Sequence, residues 1–127
     1  MDKETIYRLH ADCPHLTKLD LSYNSLNISD IKILTELLKK NTHVTSLNLE
    51  GNNITNKGAL FIRDMLNINT HLKELNLTKT KIQDKGGRAL GEVVNEKKYL
   101  KISLIKKFIV TGCHENTMYH VINDGIL

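Results

Sequence analysis

Three groups of residues have the types that chemistry needs. His10, Asp12, Cys13 and His15 lie close together in the chain, and the spacing His-x-x-Cys-x-His hints at zinc. A structural zinc site draws four ligands from well-defined turns, and these residues do not fit that plan. His15, His43 and His71 recur at a spacing of 28 residues, with Tyr99 in the next place. Stacked histidines would make a metal- or pH-sensitive column, but no carboxylate or cysteine recurs beside them. Cys113 and His114, with His120, have the types of a thiol and its base. Adjacent residues rarely face each other in a helix or strand, and no third group is evident to orient the base. Gly86-Gly87 lacks the Lys-Ser/Thr context of a phosphate-cradling loop. These patterns predict no catalytic centre, no metal site and no cofactor.

The histidine spacing belongs to a larger plan. Val44-Thr-Ser-Leu47-Asn-Leu49-Glu-Gly-Asn52-Asn-Ile54 is followed by Ala59, Ile62, Met65 and Leu66 at helical spacing. Val44 aligns with Leu16 and Leu72, Leu47 with Leu19 and Leu75, Leu49 with Leu21 and Leu77, and Ile54 with Leu26 and Ile82. A fixed period of this length signals a repeat architecture. Alternation at Leu19 and Leu21 reads as a half-buried strand. Ile31, Leu34, Leu37 and Leu38 then read as the buried face of a helix from about 30 to 40, with Ser29 as its N-cap. Thr55 or Asn56 is the expected cap of the next helix. Gly58-Ala59 and Gly86-Gly87 put small residues where a helix must lie close to the sheet.

The ends fit more loosely. Residues 3–13 look like the helical half of a repeat without its strand, stopped by Asp12-Cys13-Pro14. In the fourth unit Leu100 and Ile105 fit the 28-residue phase, but Ser103 falls on the Leu47 position and Phe108 on the Asn52 position. Met118, Val121 and Ile122 match a last helix. The expected division is one domain over 1–127: an N-terminal helical cap at 1–15, repeats at 16–43, 44–71 and 72–99, and a degraded repeat or C-terminal cap at 100–127.

The chain has 127 residues and a formal charge of +4, enough for one modest domain. Residues 97–127 carry most of the excess, through Lys97, Lys98, Lys101, Lys106 and Lys107. No apolar run approaches a membrane span, and the start lacks the apolar core of a secretory signal peptide. Cys13 and Cys113 fall at opposite ends of a stack of strands ~4.8 Å apart, which predicts free thiols and a reducing, cytoplasmic setting. The sequons at Asn27, Asn53 and Asn76 then read as chance matches.

Leu16–Leu26, Val44–Ile54 and Leu72–Ile82 resemble leucine-rich repeats of the form L-x-x-L-x-L-x-x-N-x-L. The 28-residue period with a full helix per unit is similar to the ribonuclease-inhibitor-like class. That resemblance implies an α/β solenoid fragment of a horseshoe, with a parallel sheet on the concave face and helices on the convex face. It also implies a ladder asparagine in each unit: Asn24 and Asn52 match, while Thr80 and Phe108 depart. The class includes effectors that intracellular bacteria inject into host cells. The bias toward Lys, Asn and Ile over Arg tilts the reading toward such an effector, acting in host cytosol.

On that plan Lys18, Asp20, Ser22, Ser46, Asn48, Glu50, Glu74, Asn76 and Thr78 line the concave face, with Ile102, Leu104 and Lys106 continuing it in the fourth unit. The expected function is non-catalytic protein–protein interaction through this face, as a bacterial effector or an intracellular regulator. The alternative is an anionic-surface or nucleic-acid binder working through Lys97–Lys107, although only Tyr99 and Phe108 offer aromatic stacking there. The C-terminal edge strand, within residues 100–110, is a further candidate for homodimer pairing.

Overall fold

The computed structural model of the chain describes residues 1–96 and 101–104. The elements alternate: α1 (Lys3–His10), β1 (Lys18–Asp20), α2 (Ile28–Lys40), β2 (Ser46–Asn48), α3 (Thr55–Ile68), β3 (Glu74–Leu77), α4 (Asp84–Glu96) and β4 (Lys101–Leu104). The strands form one parallel sheet in the order β1-β2-β3-β4. Each crossover is a helix, as parallel pairing requires. The core lies between the sheet and the helices. Leu19, Leu47 and Leu75 are register partners in it, and Ile31, Leu34, Leu38, Ile62, Met65, Leu66, Leu90 and Val93 close it from the helical side. The sheet and helices thus form the expected leucine-rich repeat solenoid fragment. The segments expected at Phe108, Cys113, His114, His120 and 118–122 lie outside the described residues.

The last strand departs from the expected phase. β1, β2 and β3 pair at a spacing of 28, but β4 pairs with Ile102 opposite Leu75 and Leu104 opposite Leu77, a spacing of 27. Ile102 and Leu104 therefore occupy the leucine positions, not the concave ones, and Ser103 stands opposite Asn76. Side chains alternate along a strand, so a one-residue shift exchanges the two faces. At a spacing of 27 the fourth strand has apolar residues opposite both leucines of β3.

Helix starts also differ from expectation. Asn27, not Ser29, caps α2: its Oδ1 accepts from Asp30 N at 2.9 Å, and Asp30 accepts from Asn27 N at 3.1 Å, a reciprocal capping box. Neither Thr55 nor Asn56 caps α3 with its side chain. Asn56 instead reaches the next helix, where its Oδ1 accepts from Gln83 N at 2.8 Å and Gly86 N at 3.0 Å. A Cβ at Gly86 would stand 2.8 Å from that oxygen and 2.9 Å from Ala59 Cβ. The small residue thus serves the α3–α4 approach.

Asn52 ties the units together. Its side chain is buried, and its Nδ2 donates to Leu21 O and Leu49 O, both at 2.9 Å. Its Oδ1 accepts from Asn24 N at 3.2 Å and Leu26 N at 2.9 Å. The ladder residue of one unit therefore closes the loop of the unit before it. Asn24 is exposed, and its amide donates only to Ser22 O within its own turn among the described bonds. Thr80 makes the intra-loop bond, to Leu77 O at 2.6 Å. Its backbone carbonyl supplies what its side chain lacks, accepting from Ile54 N at 3.1 Å and Thr55 N at 3.0 Å.

A second asparagine column holds the opposite rim, where helices turn into strands. Asn41 Oδ1 accepts from His43 N and Val44 N, and its Nδ2 donates back to Leu9 O. Asn69 Oδ1 accepts from His71 N and Leu72 N, and its Nδ2 donates to Leu38 O at 2.7 Å. Both asparagines are buried. Their signal in the sequence is the repeated Asn-Thr-His-apolar at 41–44 and 69–72.

Beside this rim Asp12, in a left-handed conformation at φ 52, accepts from the Thr42 hydroxyl, from Thr42 N at 2.9 Å and from His43 Nδ1 at 3.0 Å. The two Thr42 bonds, and then His43, hold its carboxyl down at about 2.

Two outcomes follow from these contacts. Asn52→Ala leaves the buried Leu26 N–H and Leu21 carbonyl without their partner and should lower stability by about 2–4 kcal/mol in urea melts. Asn24→Ala should stay within about 0.5 kcal/mol. Asp12 has a lowered folded pKa, so its contribution to stability is present above 3.8 and is lost as pH falls through about 2. Asp12→Asn should therefore melt below the parent at pH 5, with the difference closing toward pH 2.

Candidate interaction surface

Pairing in register converts three short strands into a polar face. Lys18, Ser46 and Glu74 form one row, and Asp20, Asn48 and Asn76 form the next. Ser22, Glu50 and Thr78 follow at the strand ends. All nine are exposed or partly exposed, while Leu19, Leu47 and Leu75 between them are buried. The spacing of neighbours along a row is ~4.8 Å, so the row from Lys18 to Glu74 spans ~10 Å.

The nine residues do different work. Asp20 Oδ1 accepts from Ser22 N at 2.9 Å and from the Ser22 hydroxyl at 2.7 Å, which lowers its pKa, the hydroxyl first. Asn48 Oδ1 accepts from Glu50 N at 3.0 Å, and Asn76 Oδ1 from Thr78 N at 2.9 Å. The second row is thus a column of Asx-type turns that ends each strand. Glu50 spans three units, accepting from the Tyr23 hydroxyl at 3.2 Å and from Asn76 Nδ2 at 3.3 Å. Among the described bonds none is made by the side chains of Lys18, Ser46, Glu74 or Thr78. These are the groups free to meet another molecule.

Tyr23 is a surface residue that the repeat pattern did not single out. It is 61% exposed and left-handed at φ 52, and its ring lies over Gly51. A Cβ on Gly51 would stand 2.3 Å from that ring, so glycine there makes room for the Tyr23–Glu50 contact. The signal available in the sequence was positional: Tyr23, Gly51 and Lys79 share one phase of the repeat, and all three have positive φ.

Other candidate residues stay apart from this face. His15 and His71 are exposed and His43 partly so, each just before its strand. His43 is held by Asp12. No cluster of His, Cys, Asp or Glu among the described residues could hold a metal ion. Cys13 is a free thiol, partly buried. A groove of about 270 Å³ between α1 and α2 is lined by Leu9, His10, Glu36, Leu37 and Lys40, with no group poised for chemistry. Of the basic run, Lys101 lies in β4, opposite Glu74 in register, while Lys97, Lys98, Lys106 and Lys107 lie outside the described residues. No described helix is long and apolar enough to cross a membrane.

The geometry has counterparts among known proteins. A structure of the leiomodin-1 actin-binding site 2 matches with a TM-score of 0.79 and 21% identity, over 93% of this chain and 68% of that one. The tropomodulin C-terminal domain of Caenorhabditis elegans matches with a TM-score of 0.63 and 15% identity, over 95% of this chain and 89% of that one. At these identities the likeness is one of fold. No curated protein matches the chain in sequence. The family model described as leucine-rich repeat matches residues 12–30, 40–62 and 69–91, more than half of the chain and in phase with its three strand–helix units. The chain belongs to the leucine-rich repeat family.

Proposed function

We propose that this chain is a non-catalytic protein-interaction module that binds its partner through the concave face. The observation that carries the reading is the row Lys18–Ser46–Glu74. It presents opposite charges ~10 Å apart on a sheet whose turns are already closed by other side chains. Such a face is pre-organised, so binding orders little and complementary charge sets specificity and on-rate. The leiomodin-1 structure is titled an actin-binding site, which supports a protein partner in general and makes actin the first one to assay.

A bacterial effector working in host cytosol is the setting we propose, on the Lys, Asn and Ile bias and on the family resemblance. Part of that bias has a second source. Asn27, Asn41, Asn48, Asn52, Asn56, Asn69 and Asn76 each accept from backbone N–H groups, so the asparagine content also serves the fold.

The test uses Lys18→Glu with Glu74→Lys, which reverses the row without touching a described hydrogen bond. Partners are captured from host cytosolic extract on the parent and the variant, with purified actin assayed beside them. Binding should weaken at least about ten-fold, while unfolding free energy stays within about 0.5 kcal/mol. Binding that survives the reversal would remove the concave face from the reading. Self-association through the β4 edge is read separately by light scattering, where a monomeric mass at high concentration counts against it.

A further inference from the structure

The concave face is small. Four short strands at ~4.8 Å spacing make only part of the ~800 Å² per partner that a standard interface buries. A further surface adjoins the C-terminal ends of the strands, at the rim where strands turn into helices. In the second and third units that rim is basic. Lys57 and Lys85 stand at equivalent positions in the first turns of α3 and α4. Lys79 and Lys81 lie in the loop between β3 and α4, and Arg88 follows one turn into α4. All five are exposed.

Two sets of hydrogen bonds hold them in one patch. Asn56 Oδ1, accepting from Gln83 N and Gly86 N, brings the first turns of α3 and α4 together. Thr80 O, accepting from Ile54 N and Thr55 N, brings the 79–81 turn against the start of α3. Among the described ion pairs none involves Lys57, Lys79, Lys81 or Lys85, and Arg88 takes Asp84 at 3.0 Å. The first turn of α3 has no acidic residue, so the helix dipole adds to the positive field there.

The backbone at the centre of the patch is left-handed, as it is at the equivalent Tyr23 and Ser25 of the first unit. Lys79 and Lys81 have φ 56 and 61, a region that favours Gly and Asn.

We propose that this rim is a docking surface for an acidic polypeptide segment of the partner. The inference rests on the interaction-module reading and extends its footprint from the concave face to the adjoining loops. A polypeptide fits better than a nucleic acid because the signs are mixed. The basic rim follows directly on Glu50 at the end of the second strand, and a uniformly charged polyphosphate would be driven against that carboxylate. A folded protein can place acidic residues over the rim and basic ones over the concave face. The rim loops of the second and third units carry no aromatic side chain of their own for base stacking, and the hydroxyl of the Tyr23 ring beside them donates to Glu50.

The experiment follows amide shifts of the full chain on titration with a short oligoglutamate, and with an oligothymidylate of matched charge. Oligoglutamate should shift the amides of Lys57, Lys79, Lys81, Lys85 and Arg88. The double variant Lys79→Asn with Lys81→Asn should raise the melting temperature, since asparagine suits the left-handed turn, and should weaken oligoglutamate at least about ten-fold. Lys57→Glu with Lys85→Glu gives the same loss at positions of ordinary helical backbone. Glu74→Lys should leave oligoglutamate bound, so failure of the concave face and failure of the rim are told apart. The proposal is overturned if the rim amides do not shift, or if the lysine-to-asparagine variant binds as the parent does. It is also overturned if binding is lost only in Lys106→Glu with Lys107→Glu, or if oligothymidylate binds more than about ten-fold tighter than the peptide.

Discussion

Parallel stacking buries the loops that join strands to helices, and buried backbone must find hydrogen-bond partners. The rest of this molecule follows from how that demand is met. Asn52 satisfies two carbonyls and two N–H groups across two units with one side chain. Its neutral amide is both donor and acceptor, so no charge enters the core. Where the third unit has Thr80, the loop shifts the cross-unit bonds to a backbone carbonyl. The motif can therefore lose its asparagine without leaving the preceding loop open. Asn41 and Asn69 solve the same problem at the helix-to-strand rim.

This backbone economy also shapes the surface. Asp20, Asn48 and Asn76 face solvent, yet their oxygens end the strands. Glu50 links Tyr23 to Asn76. The polar face therefore has a fixed part, which keeps it rigid, and a free part in Lys18, Ser46, Glu74 and Thr78. A surface that is already ordered loses little entropy on binding. The matches to the leiomodin-1 and tropomodulin structures show that the same scaffold tolerates extensive change in sequence, as expected when the constraint is backbone bonding and a leucine core.

Charge is divided along the same lines. The concave rows carry Asp20, Glu50 and Glu74 against Lys18, with Lys101 opposite Glu74 in register, and the strand-to-helix rim of the second and third units carries Lys57, Lys79, Lys81, Lys85 and Arg88 against Asp84. Net charge and the terminal lysine run hid this division, because lysines distant in sequence come together only when the units stack. The Asp12 clamp on Thr42 and His43 is similar: a residue that reads as a helix stop holds the turn of the next unit.

The sequence by itself determined the repeat, its period and the leucine core, because apolar spacing of two and then of three to four residues leaves one way to bury the repeated leucines. It also marked Asn52 and the three polar rows. Tertiary structure alone decided the phase of the fourth strand, where pairing partners rather than counting set Ile102 and Leu104 on the leucine positions. It decided that Asn24, similar in motif to Asn52, has an exposed side-chain amide whose one described bond stays within its own turn, and that Asn56 caps a helix other than its own. These are relations between units. A repeat motif specifies what each unit offers, but a hydrogen bond or a charged patch depends on which unit stands beside it.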